Sequence, residues 1–347
     1  MTRSIQPLRV ALIGYGYAGR VFHAPLIRAV EGLSLDFVAS RDGAKVHADL
    51  PDVEVIGDPM RAATDPRADL VVIASPNDSH APLARAALQA GRNVVVDKPF
   101  TLSLAEAREL AALADETGRL LSVFQNRRWD TDFLAIREAI EQGAIGEPMH
   151  LESRLERFRP EVRERWREQA GPGSGVLWDL APHLIDQLLQ LLGPPDFVQA
   201  STAAQREGAQ TDDWAHVVLG FGQRRAVLQL GMLAAGGGAR FLVHGTRASL
   251  VKLRPDPQEA QLLAGIRPGN TEWGVDTDDL QVLGGDGEVE YRPSPRGDQS
   301  RYYAAIRDAL LGCGENPVTP AEAVAVMEVL EAAVTSAREG RIVVPDA

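Results

Sequence analysis

At 347 residues the chain exceeds one ordinary hydrophobic core, and two domains are the default expectation. Its 45% hydrophobic content is that of a globular protein, and a net charge of −12 argues against a general attraction to nucleic acid or anionic membrane. The single cysteine, Cys313, excludes an internal disulfide and a cysteine-based zinc site. No apolar run approaches the roughly 18 residues of a membrane span or forms a signal-peptide core, so a cytoplasmic location is expected.

After Arg9, residues 10–13 are an apolar run that ends in Gly14-x-Gly16-x-x-Gly19, and Phe22, Leu26, Ile27 and Val30 follow at helical spacing. This predicts strand, tight turn and helix. Gly14 allows the sharp turn, Gly16 lets the backbone approach a pyrophosphate, and Gly19 lets the helix sit close on the strand. Tyr15, Tyr17 and Ala18 complete the turn, and the helix N-terminus offers N–H groups and partial positive charge to phosphates. In a chain with 32 glycines a lone match is weak. Its position between a strand and a helix favours dinucleotide binding over a merely structural turn.

Residues 33–39 alternate as a second strand and end in Ser40-Arg41-Asp42. A carboxylate closing this strand would bond the 2′-hydroxyl of NAD, whereas an arginine accommodates the 2′-phosphate of NADP. Ser40 closes it, with Arg41 next and Lys45 a little further on. NADP is therefore expected rather than NAD, with a solvated turn around Asp42 as the alternative. Residues 53–56 read as a short strand and 69–74 as one buried on both faces. Beyond its end Ser75, Asn77 and His80 are placed to line the cofactor, although a helix-start histidine satisfied by backbone suits His80 equally well.

A helix over 81–90 closes at Gly91. Residues 93–96 form the next buried strand and end in Asp97-Lys98-Pro99, where the proline forces a turn, a cis bond being one way to make it. The chain has only three lysines, Lys45, Lys98 and Lys252. Lys98 stands at the sheet edge of the glycine turn, and a lysine can give up a proton where an arginine cannot. Ser103-x-x-Glu106 is a capping box opening a helix to 117. A strand over 120–124 completes a doubly wound parallel sheet of about six strands, a Rossmann unit within 1–124.

The rest has a different texture. A helix over 133–142 is followed by strands over 149–155, 197–205, 216–221, 226–233, 240–244 and 250–253, which predicts an α+β domain with a mainly antiparallel open sheet. Helices are expected over 302–311 and 319–338, the second from a Thr319…Glu322 capping box with Pro320 at its first position. The Gly171–Gly175 loop leads into 176–186. If that run is helical, Asp179 and His183 share a face, and Pro182 bends the helix or marks its early turns. The segment from Arg154 to Arg167 alternates in sign and reads as solvated and self-paired, able to fold over a pocket. Asp179, His183 and Asp186 on one helix cannot close a tetrahedral shell, so no metal is expected.

The glycine turn, Asp97-Lys98-Pro99 and Asp179-x-x-x-His183 after a glycine-rich loop together resemble the Gfo/Idh/MocA oxidoreductases over nearly the whole chain. Phe22-His23-Ala24-Pro25-Leu26, Pro76-Asn77-Asp78, Asn126-Arg127-Arg128-Trp129-Asp130 and Asp179-Leu180-Ala181-Pro182-His183 are similar to the NADP-linked scyllo-inositol dehydrogenase branch. Asp97 stands where the family usually has Glu, and Ala181 where it commonly has Gly. The resemblance implies that residues 1–124 bind the dinucleotide and 125–347 bind substrate and form the oligomer. It implies that Lys98, Asp179 and His183 converge beside the nicotinamide, which exchanges hydride with a secondary alcohol of a cyclic polyol or sugar.

In such a site His183 would take the hydroxyl proton. Asp179 would orient it or grip a neighbouring hydroxyl, and Lys98 would hydrogen-bond the reacting oxygen or relay the proton itself. Asp97 would hold Lys98 in place. Asn126 and Arg127 would lie near the substrate by family position, with a solvated loop as the alternative. A homo-oligomer, most simply a dimer, is expected, with no nucleic-acid or membrane partner. A dehydrogenase of another sugar or of a dihydrodiol, and a non-catalytic NAD(P)-binding regulator, are the competing readings.

Overall fold

The computed structural model describes residues 6–345. Leu8–Ile13 (β1), Leu33–Ala39 (β2), Glu54–Ile56 (β3), Leu70–Ile73 (β4), Asn93–Val96 (β5) and Leu121–Val123 (β6) form one sheet in the order β3-β2-β1-β4-β5-β6. Every pairing in it is parallel. β4 is buried along its whole length, as a strand covered on both faces must be. This is the doubly wound sheet that the alternating strand and helix signals predict.

The helix after the glycine turn departs from the expected pattern. It begins as a π-turn, Gly19–His23, and becomes α-helical over Ala24–Arg28. The wider turn changes the phase of the helix. His23, Leu26, Ile27 and Val30 are buried, whereas Phe22 is only half-buried. A histidine thus takes the inward position that hydrophobicity assigns to the phenylalanine. Two short helices that periodicity does not reveal, Gly43–Asp49 and Pro59–Ala63, start at Asp42 and Asp58, whose carboxylates accept the backbone N–H of Lys45 and Met60. Both expected capping boxes form. Ser103 Oγ accepts the Glu106 N–H at the head of Leu104–Thr117, and Thr319 and Glu322 bond reciprocally at the head of Pro320–Glu339.

The second sheet has eight strands: Pro148–Glu156 (β7), Phe197–Ala203 (β8), Trp214–Phe221 (β9), Arg224–Gly231 (β10), Phe241–Gly245 (β11), Ala248–Lys252 (β12), Leu280–Gly284 (β13) and Val289–Arg292 (β14). Their order is β14-β13-β12-β11-β7-β10-β9-β8, and only the β7–β10 pairing is parallel. β13 and β14 carry no strong alternating signal, and β14 is largely exposed, so the sequence did not announce them. The helix Val176–Leu192 packs on β9 and β10. It buries Leu180, Leu184 and Leu188, each contributing about 1.5–3 kcal/mol.

The chain sorts into two compact units. The first comprises the residues up to Asn126 together with Gln258–Trp273 and Asp298–Val324, and the second comprises Arg127–Pro257, Gly274–Gly297 and the residues from Ala325 onward. Within the first unit the two late segments are held by buried side chains. Trp273 donates its indole N–H to Asp298 at 2.9 Å, and Tyr302 donates to Ser122 at 2.8 Å. Among the described residues, no helix is long and apolar enough to cross a membrane.

Candidate active site

In the first unit the carboxyl ends of the parallel strands bring Gly14, Ser40, Ser75 and Asp97-Lys98 to one edge of the sheet. β1 sits between β2 and β4, so the glycine turn lies where the strand order reverses, the place at which open parallel sheets bind ligands. The three glycines answer to different constraints. Gly14 has φ +98°, and a Cβ there would stand 2.6 Å from the carbonyl oxygen of Ala74. A Cβ at Gly19 would stand 2.1 Å from the carbonyl oxygen of Gly14. Gly14 thus packs against the end of β4, and Gly19 against the turn's own backbone. At Gly16 no atom lies within 4 Å of the Cβ position, which leaves the open cradle a pyrophosphate needs.

The other residues expected to line the cofactor divide. Arg41 and Lys45 are exposed. Asp42 turns its Oδ1 inward to cap the Gly43–Asp49 helix through Lys45 N–H at 2.9 Å, and its own N–H donates to Ser40 Oγ at 3.1 Å. The acidic group near the end of β2 is therefore spent on a helix end. Ser75 is half-buried, its Oγ 2.5 Å from Ser79 Oγ, and Asn77 is buried. The exposed Tyr17 donates to Glu259 at 2.8 Å.

Three of these side chains make contacts within the protein. The Tyr15 side chain is buried and its hydroxyl donates to Asp49 at 3.2 Å; burial, with the Asp49 charge beside it, pushes the phenol up to about 12. That contact lies on a cavity of about 670 Å³ also lined by Arg20, Arg28, Leu262 and Arg267, which includes neither Gly16 nor Lys98. His80 is buried with Nδ1 2.9 Å from the Pro99 carbonyl oxygen and Nε2 3.0 Å from that of Ser75. It braces the Ser75 loop against the Lys98-Pro99 turn, where the peptide bond is cis. Asp97 is buried and faces His23 at 3.7 Å, while its Oδ1 accepts the Lys98 backbone N–H at 2.9 Å. Burial pushes the Asp97 carboxyl up, yet the neighbouring His23, Lys98 and His80 hold it below the usual carboxylate range. Lys98 itself is half-buried.

In the second unit Asp179 and His183 lie one turn apart on the Val176–Leu192 helix, with Pro182 inside it. The helix has no Ser or Thr at its start. Gly175, at φ +93°, takes the cap position, and Asp212 supplies the missing acceptors, its Oδ2 2.8 Å from Leu177 N–H and its carbonyl 2.9 Å from Val176 N–H. Asp179 is half-buried and pairs with Arg167 at 3.2 Å. Elsewhere in the run Arg165 pairs with Glu168 at 2.7 Å and Arg154 with Glu152, carboxylates just outside it, while Arg167 reaches Asp179 on the helix. His183 is buried, at 6% exposure.

The next turn of the helix carries groups that spacing did not single out for a role in the site. Asp186 accepts both arms of Arg128, at 2.9 and 2.6 Å, in a buried bidentate pair. Gln187 donates to the Arg127 carbonyl at 2.9 Å and accepts from Arg240, which also reaches Asp132 at 2.8 Å and Ser153 at 2.6 Å. Arg127 itself pairs with Asp130 at 2.8 Å. The Arg127-Arg128 run is thus bonded to the helix of His183 and is no solvated loop. Asn126 is buried at the end of the first unit. A lone arginine in a β-strand flank gives no local signal for such a network, because its partners lie far away in the chain.

A family model of the oxidoreductase NAD-binding Rossmann fold matches residues 8–125, and the model of the same family's C-terminal alpha/beta domain matches residues 137–345. The chain belongs to the Gfo/Idh/MocA oxidoreductase family. It is 51% identical to the uncharacterized oxidoreductase YdgJ of Escherichia coli over 95% of this chain and 96% of the relative. It is 36% identical to the scyllo-inositol 2-dehydrogenase (NADP(+)) IolW of Bacillus subtilis over 98% and 97%. A crystal structure of a Klebsiella pneumoniae protein superposes with a TM-score of 0.93 at 55% identity, covering 99% of this chain and 96% of that one. A Gfo/Idh/MocA oxidoreductase carries an NAD(P)-binding Rossmann domain, and the open face of Gly16 at the switch point fits that group.

Proposed function

We propose that this Gfo/Idh/MocA oxidoreductase is an NADP-dependent dehydrogenase of a secondary alcohol on a cyclic polyol or sugar. The observation that carries the reading is the sheet edge of the first unit. An open glycine cradle, an Arg41 with no acidic competitor at the end of β2, and a lysine directly past β5 all lie along it. The full-length likeness to IolW supports the polyol class. When bound, the nicotinamide supplies the hydride acceptor.

The chain's own groups do the remainder. His183 takes the hydroxyl proton as the carbon–oxygen double bond forms, since imidazole titrates nearest neutral pH. Lys98 donates a hydrogen bond to the reacting oxygen and stabilises the charge that develops there. Asp179, its charge balanced by Arg167, grips a neighbouring substrate hydroxyl or orients His183. Arg41 and Lys45 meet the 2′-phosphate. The substrate role falls to the residues after 124, and a homodimer covers the outer face of the second sheet, where Trp214, His216, Val218 and Val227 alternate with core residues.

The test is absorbance at 340 nm with NADP or NAD against a panel of inositols, aldoses and dihydrodiols. Turnover with NADP and at least one inositol is expected, and Lys98→Met and His183→Ala should each lower it by about two or more orders of magnitude. A near-wild-type rate in either variant removes that residue from the mechanism. Nucleotide binding with no turnover on any panel member would favour the non-catalytic regulator instead.

A further inference from the structure

Behind Lys98 the first unit buries a chain of polar groups that the proposed chemistry does not use. His23 and Tyr303 are fully buried and Asp97 is 6% exposed. The His23 Nδ1 lies 2.5 Å from the Tyr303 hydroxyl, and its Nε2, which has no hydrogen bond, faces Asp97 Oδ1 at 3.7 Å. The same Asp97 oxygen accepts the backbone N–H of Lys98. Aromatic rings enclose the chain: Phe124 lies 4.2 Å from the His23 ring centroid, and Tyr302 packs edge-on against both Phe124 and Tyr303.

We propose that Tyr303, His23 and Asp97 form a positioning chain that holds Lys98 in its working place. This rests on the assignment of Lys98 to the reaction above. Tyr303 is confined to its neutral phenol, because burial, with Tyr302 and Asp97 nearby, pushes its pKa well above the ordinary value. In this chain the phenol donates to His23 Nδ1. That places the imidazole proton on Nε2, aimed at the Asp97 carboxylate. The 3.7 Å separation exceeds a hydrogen bond, and closing it would give a charge-assisted bond of about 2.7–2.9 Å. A buried carboxylate without such partners is costly, so the chain has a reason to close and to keep Asp97 ionised and aligned. The charged or titratable groups facing Asp97 are His23, Lys98, His80 and Tyr303. Tyr303, His23 and Asp97 are positioning residues, acting through Lys98.

Histidine-selective nitrogen NMR tests the proton placement directly. With seven histidines, the His23 signals are those lost in His23→Gln. An Nε2-protonated ring is expected in the wild type, altered in Tyr303→Phe. An Nδ1-protonated ring overturns the chain. Kinetics test the positioning. Tyr303→Phe keeps the aromatic packing and should lower kcat about tenfold, with the KM for NADP unchanged; Asp97→Glu should retain more kcat than Asp97→Asn. An unchanged kcat in Tyr303→Phe, in a protein that Lys98→Met inactivates, overturns the proposal. If Lys98→Met keeps wild-type turnover, the assignment of Lys98 fails, and the NMR result still decides the proton placement.

Discussion

Gly175→Ala tests how the Val176–Leu192 helix is anchored. Gly175 has φ +93° and ψ 168°, a region that side-chain-bearing residues enter only at a cost of about 1–3 kcal/mol. A methyl group there would stand 2.0 Å from Asp212 Oδ1 and 2.7 Å from Thr211 Oγ1. Asp212 must then retreat, and the Leu177 N–H loses its acceptor, the equivalent of a lost helix cap at about 0.5–2 kcal/mol. Together these predict a loss of about 1.5–5 kcal/mol, a large share of the roughly 5–15 kcal/mol typical of a domain. Gly171→Ala, in the same loop, is the control: that glycine is exposed, and its Cβ position has no atom within 4 Å. It should change stability by less than about 0.5 kcal/mol. Equilibrium urea unfolding of the two variants and the wild type measures both effects. If Gly175→Ala unfolds at the same urea concentration as Gly171→Ala, Asp212 is not what starts the helix, and the account of how Asp179 and His183 are held is wrong.

Arg240→Met strands the buried Asp132 carboxylate and should cost about 3–5 kcal/mol by urea unfolding, most of it recovered in Asp132→Leu/Arg240→Met; equal losses in the single and double variants would contradict the pairing. Asp65 is held at about 2, first by hydrogen bonds from the Arg67 side chain, so its folded pKa lies below its unfolded one. Its contribution is complete above about pH 4 and is lost as pH falls towards 2. Melting temperatures of Asp65→Asn should therefore fall less steeply than the wild type's over that window, and parallel curves would refute the pairing. Arg41→Ser should raise the KM for NADP by about tenfold or more and leave that for NAD nearly unchanged; an equal change in both would remove Arg41 from cofactor choice.

Local rules carry much of this fold. The glycine turn, the buried valine strands and the two capping boxes each depend on residues within about five positions of one another, and each appears where its pattern lies. The pairing of Asp179 and His183 on one helix was legible for the same reason. What tertiary structure decided involves partners distant in the chain. His23 displaced Phe22 from the inward face because a π-turn shifted the phase and Tyr303 waited 280 residues away. Tyr15 and Asp97, adjacent to the motifs, turned to Asp49 and His23, and His80 went to two carbonyls. Arg167 read as part of a solvated run but settled on Asp179, while Arg128 and Arg240, with no local signal for their partners, settled on Asp186 and Asp132. Spacing specifies which way a backbone turns over a few residues, whereas burying a charge requires a counter-charge that only the folded chain can bring.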